Sequence, residues 1–377
     1  MWEKWLDCGA ADIDERLFTS VVGYIAEEPE VERERDIHSY GSEMATEFIT
    51  RSYIGRPEFS ERIVRLADER IEEAEDLRSD AQRELERASQ QSATGATGKR
   101  RGRQTHAAWQ ARQEEGHWKY FVSKAEGDIT RWALIRLRAL RTSGLDDEAL
   151  LAEAGPLVVR EPICQFFVDA AMRRGDVALA LHLLRDCKEA CLAADGRYPV
   201  AVSRQIADLS EGRDLEALRS ELRYLLGNVT RADVSERAED LWLRLRRTYD
   251  EETWPQVRDG LLRDIEPAST RLRCLHAEGL YDRLMEAAES EGLAALYPFE
   301  ADLVDRYPER VLRLYLDDLE KYRRYPGGGR GDYKQLADRL RHVQALPGGA
   351  EPVHAFVAEL CELYPRKRAL RDELSRV

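Results

Sequence analysis

The chain has 377 residues, of which 43% are hydrophobic and 34% charged, with a formal net charge of −14. That length allows two or three domains or one elongated repeat array, and abundant Ala, Leu, Glu and Arg with few Phe and Pro favour helix over sheet. The negative balance argues against non-specific binding to nucleic acid or an anionic membrane as the role of the whole surface.

The first helix is expected over residues 12–27, with Ile13, Leu17, Val21 and Tyr24 on one stripe and Phe18, Val22 and Ile25 widening it. Pro29 stops it. A second is expected from about Ser42 to Tyr53, with Met44, Phe48 and Ile49 on its apolar face. Arg56-Pro57 opens a long helix in which Ile63, Leu66, Ala67, Ala74, Leu77, Ala81 and Leu85 recur at three- and four-residue steps. Its acidic run at Glu72, Glu73, Glu75 and Asp76 reads as a solvated face.

From Ala88 to Gln104 no apolar residue is larger than Ala, so the segment cannot offset its ordering entropy. It reads as a flexible loop joining two antiparallel helices. Within it Lys99, Arg100, Arg101 and Arg103 form the one compact basic cluster of the chain. Such a cluster suits a phosphate or an acidic partner; the plainer reading, a solubilising loop tip, is the one composition favours. A helix from about His106 to Arg141 follows, with Gly116 and Gly127 as places for a break. Trp109, Trp118 and Trp132 on it could line a groove, but read first as core against the preceding helix. A short helix over 149–154 precedes Gly155-Pro156.

From about Pro162 the chain becomes repetitive. Helices are expected over 162–173, 177–194, 199–211, 215–226, 234–249, 308–324, 333–346 and 353–364. Glycine punctuates at 175, 212, 279 and 331, with gaps of 37, 67 and 52 residues, the last of which breaks the period. A unit of two helices and roughly 34–40 residues is the mark of a tetratricopeptide-like solenoid. One amphipathic pair cannot bury its apolar faces alone, but stacked neighbours can. Glycine closes the first helix of a pair. Proline after Tyr or Trp, at 198, 254, 297, 307, 325 and 364, opens the next. The Arg-Gly-Asp tripeptides at 174–176 and 330–332 each read as a glycine stop followed by an Asp N-cap.

Three blocks of the tail carry a resemblance: Ala301 to Tyr315 with its Tyr307-Pro308, Arg330-Gly331-Asp332-Tyr333 with Leu340-Arg341-His342-Val343, and Phe356 to Leu360 followed by Tyr364-Pro365-Arg366-Lys367 to Leu374. Together they resemble the C-terminal helical region of prokaryotic SWIM zinc finger proteins, well over 275–377 and more loosely over 160–275. The resemblance implies an α-solenoid interaction region. It does not bring zinc or DNA binding with it. The finger needs a Cys-x-Cys pair that this chain lacks, and Cys274-Leu275-His276 alone is half a site.

The six cysteines, at 8, 164, 187, 191, 274 and 361, form no dense framework and read as reduced thiols. Cys187 and Cys191 share a helical face near His182, a spacing open to a metal or disulfide, yet they fall on the apolar stripe and read as core. The histidines show no ligand spacing, and Gly327-Gly328-Gly329-Arg330-Gly331 follows a helix and reads as a flexible turn, not a phosphate cradle. No apolar run approaches the roughly 18 residues of a membrane span, and Met1-Trp2-Glu3-Lys4-Trp5 lacks the regions of a signal peptide.

The sequence thus predicts an all-α protein with two domains. Residues 1–155 form an N-terminal helical region with a long hairpin, and 156–377 form a right-handed stack of helix pairs. The expected role is a cytoplasmic, non-catalytic scaffold for protein partners, without cofactor, metal, catalytic residues or membrane contact. A second reading is a nucleic-acid accessory factor using 99–103 and the arginine-rich faces at Arg131, Arg136, Arg138 and Arg141. A third is an enzyme whose site the sequence does not disclose.

Overall fold

A computed structural model describes residues 11–26, 40–95, 106–194, 199–228 and 238–377, and among them every regular element is helical. The all-α expectation holds. The chain divides into two compact units, Met1–Gln205 and Ile206–Val377. The division falls inside the helix Val200–Ser210, not at residue 155 where composition placed it.

In the first unit, α1 (Ala11–Ala26) and α2 (Tyr40–Ser52) pack on each other and on the base of a hairpin formed by α3 (Pro57–Gly95) and α4 (His106–Thr142). Phe18, Val21, Ile25, Phe48, Ile49, Tyr53, Phe59, Ile63, Trp132 and Ile135 make this core. The buried stripe of α1 is 18, 21 and 25, one step round from the expected row, and Tyr24 is left exposed. The same one-step offset exposes Met44 on α2, where Ala45 is buried instead.

The two long helices run antiparallel. The Thr142 hydroxyl donates to the Ile54 carbonyl at 2.8 Å, and Arg136 pairs with Asp68 at 2.6 Å. At ~1.5 Å per residue, α3 is about 58 Å long. Beyond Arg70, which is also buried, its buried residues among those described are Ala74, Ala81 and Ala88, continuing a seven-residue interval from Ala67. Leu77, expected on this face, is exposed. α3 runs on to Gly95, so the segment expected to be a loop from Ala88 begins as helix with Ala88 buried. α4 is continuous through Gly116 and Gly127. Trp132 is core, but Trp109 is 52% exposed, against its expected burial.

α5 (Asp147–Ala154), a 3-10 turn (Gly155–Val159), α6 (Glu161–Arg173) and α7 (Val177–Ala193) complete the unit with the start of α8 (Val200–Ser210). The helices on either side of residue 155 are tied together. Arg160 Nη1 donates to the Glu126 carbonyl and to the Thr130 hydroxyl, both at 2.7 Å. Arg141 lies 3.8 Å over the Phe166 ring. These contacts explain why the hairpin and the first helix pair form one body.

The pair α6–α7 behaves as its sequence dictates. Gly175 has φ +75°, closing α6, and Asp176 accepts from the Leu179 N–H at 3.0 Å, opening α7. Gly212, φ +74°, and Asp214, accepting from the Ala217 N–H at 3.0 Å, repeat this between α8 and the next helix.

The second unit continues from the end of α8 with α9 (Leu215–Asn228), α10 (Ala238–Arg246), α11 (Trp254–Asp264), α12 (Ala268–Ala277), α13 (Tyr281–Glu291) and α14 (Leu293–Leu296). A 3-10 turn (Tyr297–Phe299) leads to α15 (Glu300–Arg306), α16 (Pro308–Arg324), α17 (Arg330–Ala345), α18 (Ala350–Leu363) and α19 (Arg368–Leu374). α9 runs on through Gly227 to Asn228, two residues past the expected end at 226. Neighbours pack in succession, α9 on α10, α12 on α13, α15 on α16 and α17 on α18, and α19 folds back onto α17.

The second Arg-Gly-Asp does not follow the expected stop-and-cap pattern. α17 already begins at Arg330, and the positive φ belongs to Gly327, at +117°. Asp332 sits in the first turn, where its carboxylate accepts from the N–H groups of Gly328 at 2.7 Å and Gly329 at 3.2 Å. The glycine-rich turn is therefore tied down. No described helix is long and apolar enough to cross a membrane.

Candidate functional site

The second unit holds a polar cleft of about 440 Å³ lined by Tyr297, Glu300, Tyr315, Tyr322, Gln335, Arg339 and His342. Local sequence explains its position. Pro308 ends α15 at Tyr307 and starts α16. α16 buries Val311, Tyr315 and Leu319, and Tyr315, Asp318 and Tyr322 form the adjoining stripe. α17 buries Tyr333, Leu336, Ala337, Leu340 and Val343. Its adjoining stripe is Gln335, Arg339 and His342, spaced four and three apart. The two stripes face one cavity, and Tyr297 and Glu300 close its end.

Arg339 organises the floor. Its Nη2 donates to the Tyr297 hydroxyl at 2.7 Å and its Nη1 to the Tyr322 hydroxyl at 3.3 Å. Asp318 Oδ2 lies 3.0 Å from Nη1, an ion pair lacking hydrogen-bond alignment. Each tyrosine oxygen that accepts from the guanidinium keeps its own proton to give away, and accepting from a cation strengthens that donation.

At the other end His342 Nε2 lies 2.6 Å from Glu300 Oε1 and 3.1 Å from the Tyr315 hydroxyl. The contact suits the tautomer in which Nε2 donates to the carboxylate. Burial first, then the Glu300 carboxylate, push the Tyr315 hydroxyl well above the usual tyrosine range. It therefore stays protonated. The ring of Tyr315 lies 5.3 Å from His342 and 6.3 Å from Tyr297. What the cleft offers a ligand is the Tyr297 and Tyr322 hydroxyls, held by Arg339, and the Gln335 amide, beside the Tyr315 ring.

None of these residues was singled out by sequence reasoning as a site. The signal was present in the polar rows at 315, 318, 322 and 335, 339, 342. Helical spacing shows such a row, but not whether it faces solvent or another helix.

Of the sequence candidates, Lys99, Arg100, Arg101 and Arg103 lie outside the described residues. The arginine-rich face of α4 is largely committed within the chain. Arg136 pairs with Asp68 and Glu153, Arg141 with Asp147, and Arg131 with Asp128. Cys187 is buried beside Cys164, whose thiol together with burial pushes Cys187 far up. His276, of the half-site with Cys274, has its Nε2 2.9 Å from Asp302 Oδ2, and burial pushes the Cys274 thiol up as well. Among the described residues no group of three or more His, Cys, Asp or Glu is placed to hold a metal ion.

Comparison of the chain with protein-family models, with curated proteins and with solved structures gave no match.

Proposed function

We propose that the chain is a protein-binding scaffold built from tetratricopeptide-like helix pairs, and that the α16–α17 cleft seats an extended, acceptor-rich segment of its partner. The observation that carries this reading is the facing pair of polar stripes, Tyr315-Asp318-Tyr322 and Gln335-Arg339-His342. Two adjacent helices of a bundle ordinarily meet through apolar side chains. Here they hold apart polar groups, among which the Tyr297 and Tyr322 hydroxyl protons and the Gln335 amide face the cavity as donors for a peptide carbonyl or an amide or carboxylate side chain. Stop-and-cap punctuation at 175–176 and 212–214 supports the repeat reading, as does the likeness of 275–377 to the SWIM-associated helical region.

The test is affinity purification of the full chain from its native host, run in parallel with Arg339→Ala and with Arg341→Ala. Arg341 lies on the same helix, half exposed, and pairs with Asp338 outside the cleft. A reproducible protein partner retained by wild type and Arg341→Ala but lost by Arg339→Ala is the expected result. A partner retained equally by all three removes the cleft as its seat, and recovery of no reproducible protein overturns the scaffold reading.

A further inference from the structure

The ammonium group of Lys367, just before α19, is surrounded by aromatic rings. Its Nζ lies 5.1 Å from the ring centre of Tyr364, 5.5 Å from that of Tyr333 and 5.7 Å from that of Tyr325. All three fall within the ~6 Å reach of a cation–π contact. Nζ also donates to the Gly327 carbonyl at 3.0 Å. Among the described residues no carboxylate forms an ion pair with it. A surface lysine in so acidic a chain ordinarily meets Asp or Glu; this one is recognised by π faces and one carbonyl.

Two of the three walls are fixed without the lysine. The Tyr364 hydroxyl donates to the Arg323 carbonyl at 2.7 Å, and the Tyr333 hydroxyl to the Gly327 carbonyl at 3.3 Å. The turn that presents that carbonyl is held by Asp332 through Gly328 and Gly329. Only glycine fits at 327, because at φ +117° an added Cβ would come within 2.4 Å of the Asp332 Cβ. The site is thus preorganised by hydrogen bonds that Lys367 does not make. Its outer wall, Tyr325, is 65% exposed, so the cage opens to solvent.

We propose that Tyr325, Tyr333, Tyr364 and the Gly327 carbonyl form an alkylammonium-recognition site, held in cis by Lys367, into which the lysine side chain of a partner protein can exchange. Because the carbonyl oxygen has a second lone pair beside the one that Tyr333 uses, a guest that keeps at least one N–H, a primary or partly methylated amine, is preferred over a quaternary one. The site is separate from the α16–α17 cleft, and small amines test it without any partner, so its fate does not depend on that of the cleft.

The experiment empties the cage and refills it. In the full chain, Lys367→Ala should lower the melting temperature. n-Butylammonium chloride, against sodium chloride at equal ionic strength, should then raise it in Lys367→Ala, and by less in wild type, where the guest must first displace Lys367. The double variant Lys367→Ala/Tyr364→Leu should lose the response, and tetramethylammonium should restore less than n-butylammonium. Equal shifts in all three proteins, or no shift in Lys367→Ala, overturn the proposal. If Lys367→Ala does not fold, Lys367→Met decides. It keeps the apolar stem and removes the charge, so a melting temperature below wild type is expected, and one equal to or above wild type overturns the site.

Discussion

The carboxylate of Glu278 accepts the indole N–H of Trp242 at 2.8 Å, and its second oxygen accepts that of Trp254 at 3.1 Å. The Glu278 side chain is 4% exposed, both indoles are buried and meet edge to face at 5.2 Å, and Arg246 and Arg258 stand 3.7 and 4.0 Å away. One acidic group at the end of α12 thus satisfies donors from α10 and α11. Removing it strands two buried N–H groups at about 1–3 kcal/mol each. Glu278→Ala is therefore expected to lower the unfolding free energy by about 2–6 kcal/mol. Glu278→Gln, which keeps one acceptor, should lose less. Denaturant titration reads both, and equal, small losses would remove this clamp from the account.

Glycines separate into two kinds. Gly116 and Gly127 lie inside α4 with nothing within 4 Å of an added Cβ. Replacing either by Ala should stabilise the protein by roughly 0.5–1 kcal/mol through the unfolded chain. At Gly349 an added Cβ would stand 1.9 Å from the Val343 carbonyl oxygen, so Gly349→Ala should lower the melting temperature by several degrees. Thermal denaturation of the three variants checks the signs, and a loss at 116 and 127 would count against an uninterrupted α4.

Tyr53 predicts an alkaline weakness. Burial first, then the Asp14 carboxylate, push its hydroxyl up to about 12 from an ordinary value of 10.0. The folded state holds the proton longer than the unfolded one, so stability is full below pH 10 and falls as pH rises towards about 12. Tyr53→Phe should flatten that alkaline limb. Denaturant midpoints measured from pH 9 upwards give the comparison, and parallel slopes for the two proteins would refute the assignment.

Arg160 fastens α4 to the start of α6 with one nitrogen at 2.7 Å from two oxygens. Losing these charge-assisted bonds in Arg160→Ala should cost about 1.5–3 kcal/mol. Arg160→Lys should recover only part of it, because a compact ammonium is more strongly hydrated than a guanidinium and must shed that water to reach the same two oxygens. If Lys matches wild type, the guanidinium is not what holds the joint.

Much of the helical framework was legible because its signals are local. Pro57 and Pro308 begin helices where their missing N–H costs nothing, and Gly175-Asp176 stops one helix and caps the next within two residues. What stayed hidden depends on partners far along the chain. The composition of 326–331 reads as freedom, yet Asp332 and Lys367 hold the turn. Ala88 to Gly95 looks too poor in apolar atoms to order itself, yet Ala88 is buried within the hairpin. The cleft is the extreme case. Tyr297 and Arg339 meet at 2.7 Å across forty-two residues, and nothing in either neighbourhood announces it.

The alanine row at 67, 74, 81 and 88 has a mechanical consequence. With no bulkier side chain among the described residues of α3 buried beyond Arg70, the axes of α3 and α4 can approach closely, and dispersion between the closely spaced helices resists their separation. Deep interleaved side chains can repack by changing rotamer; methyl groups have no rotamers to change. The pair then bends and twists as a single strut, and a load applied near Gly95 arrives at the aromatic core around Phe18 and Tyr53 as a lever's torque.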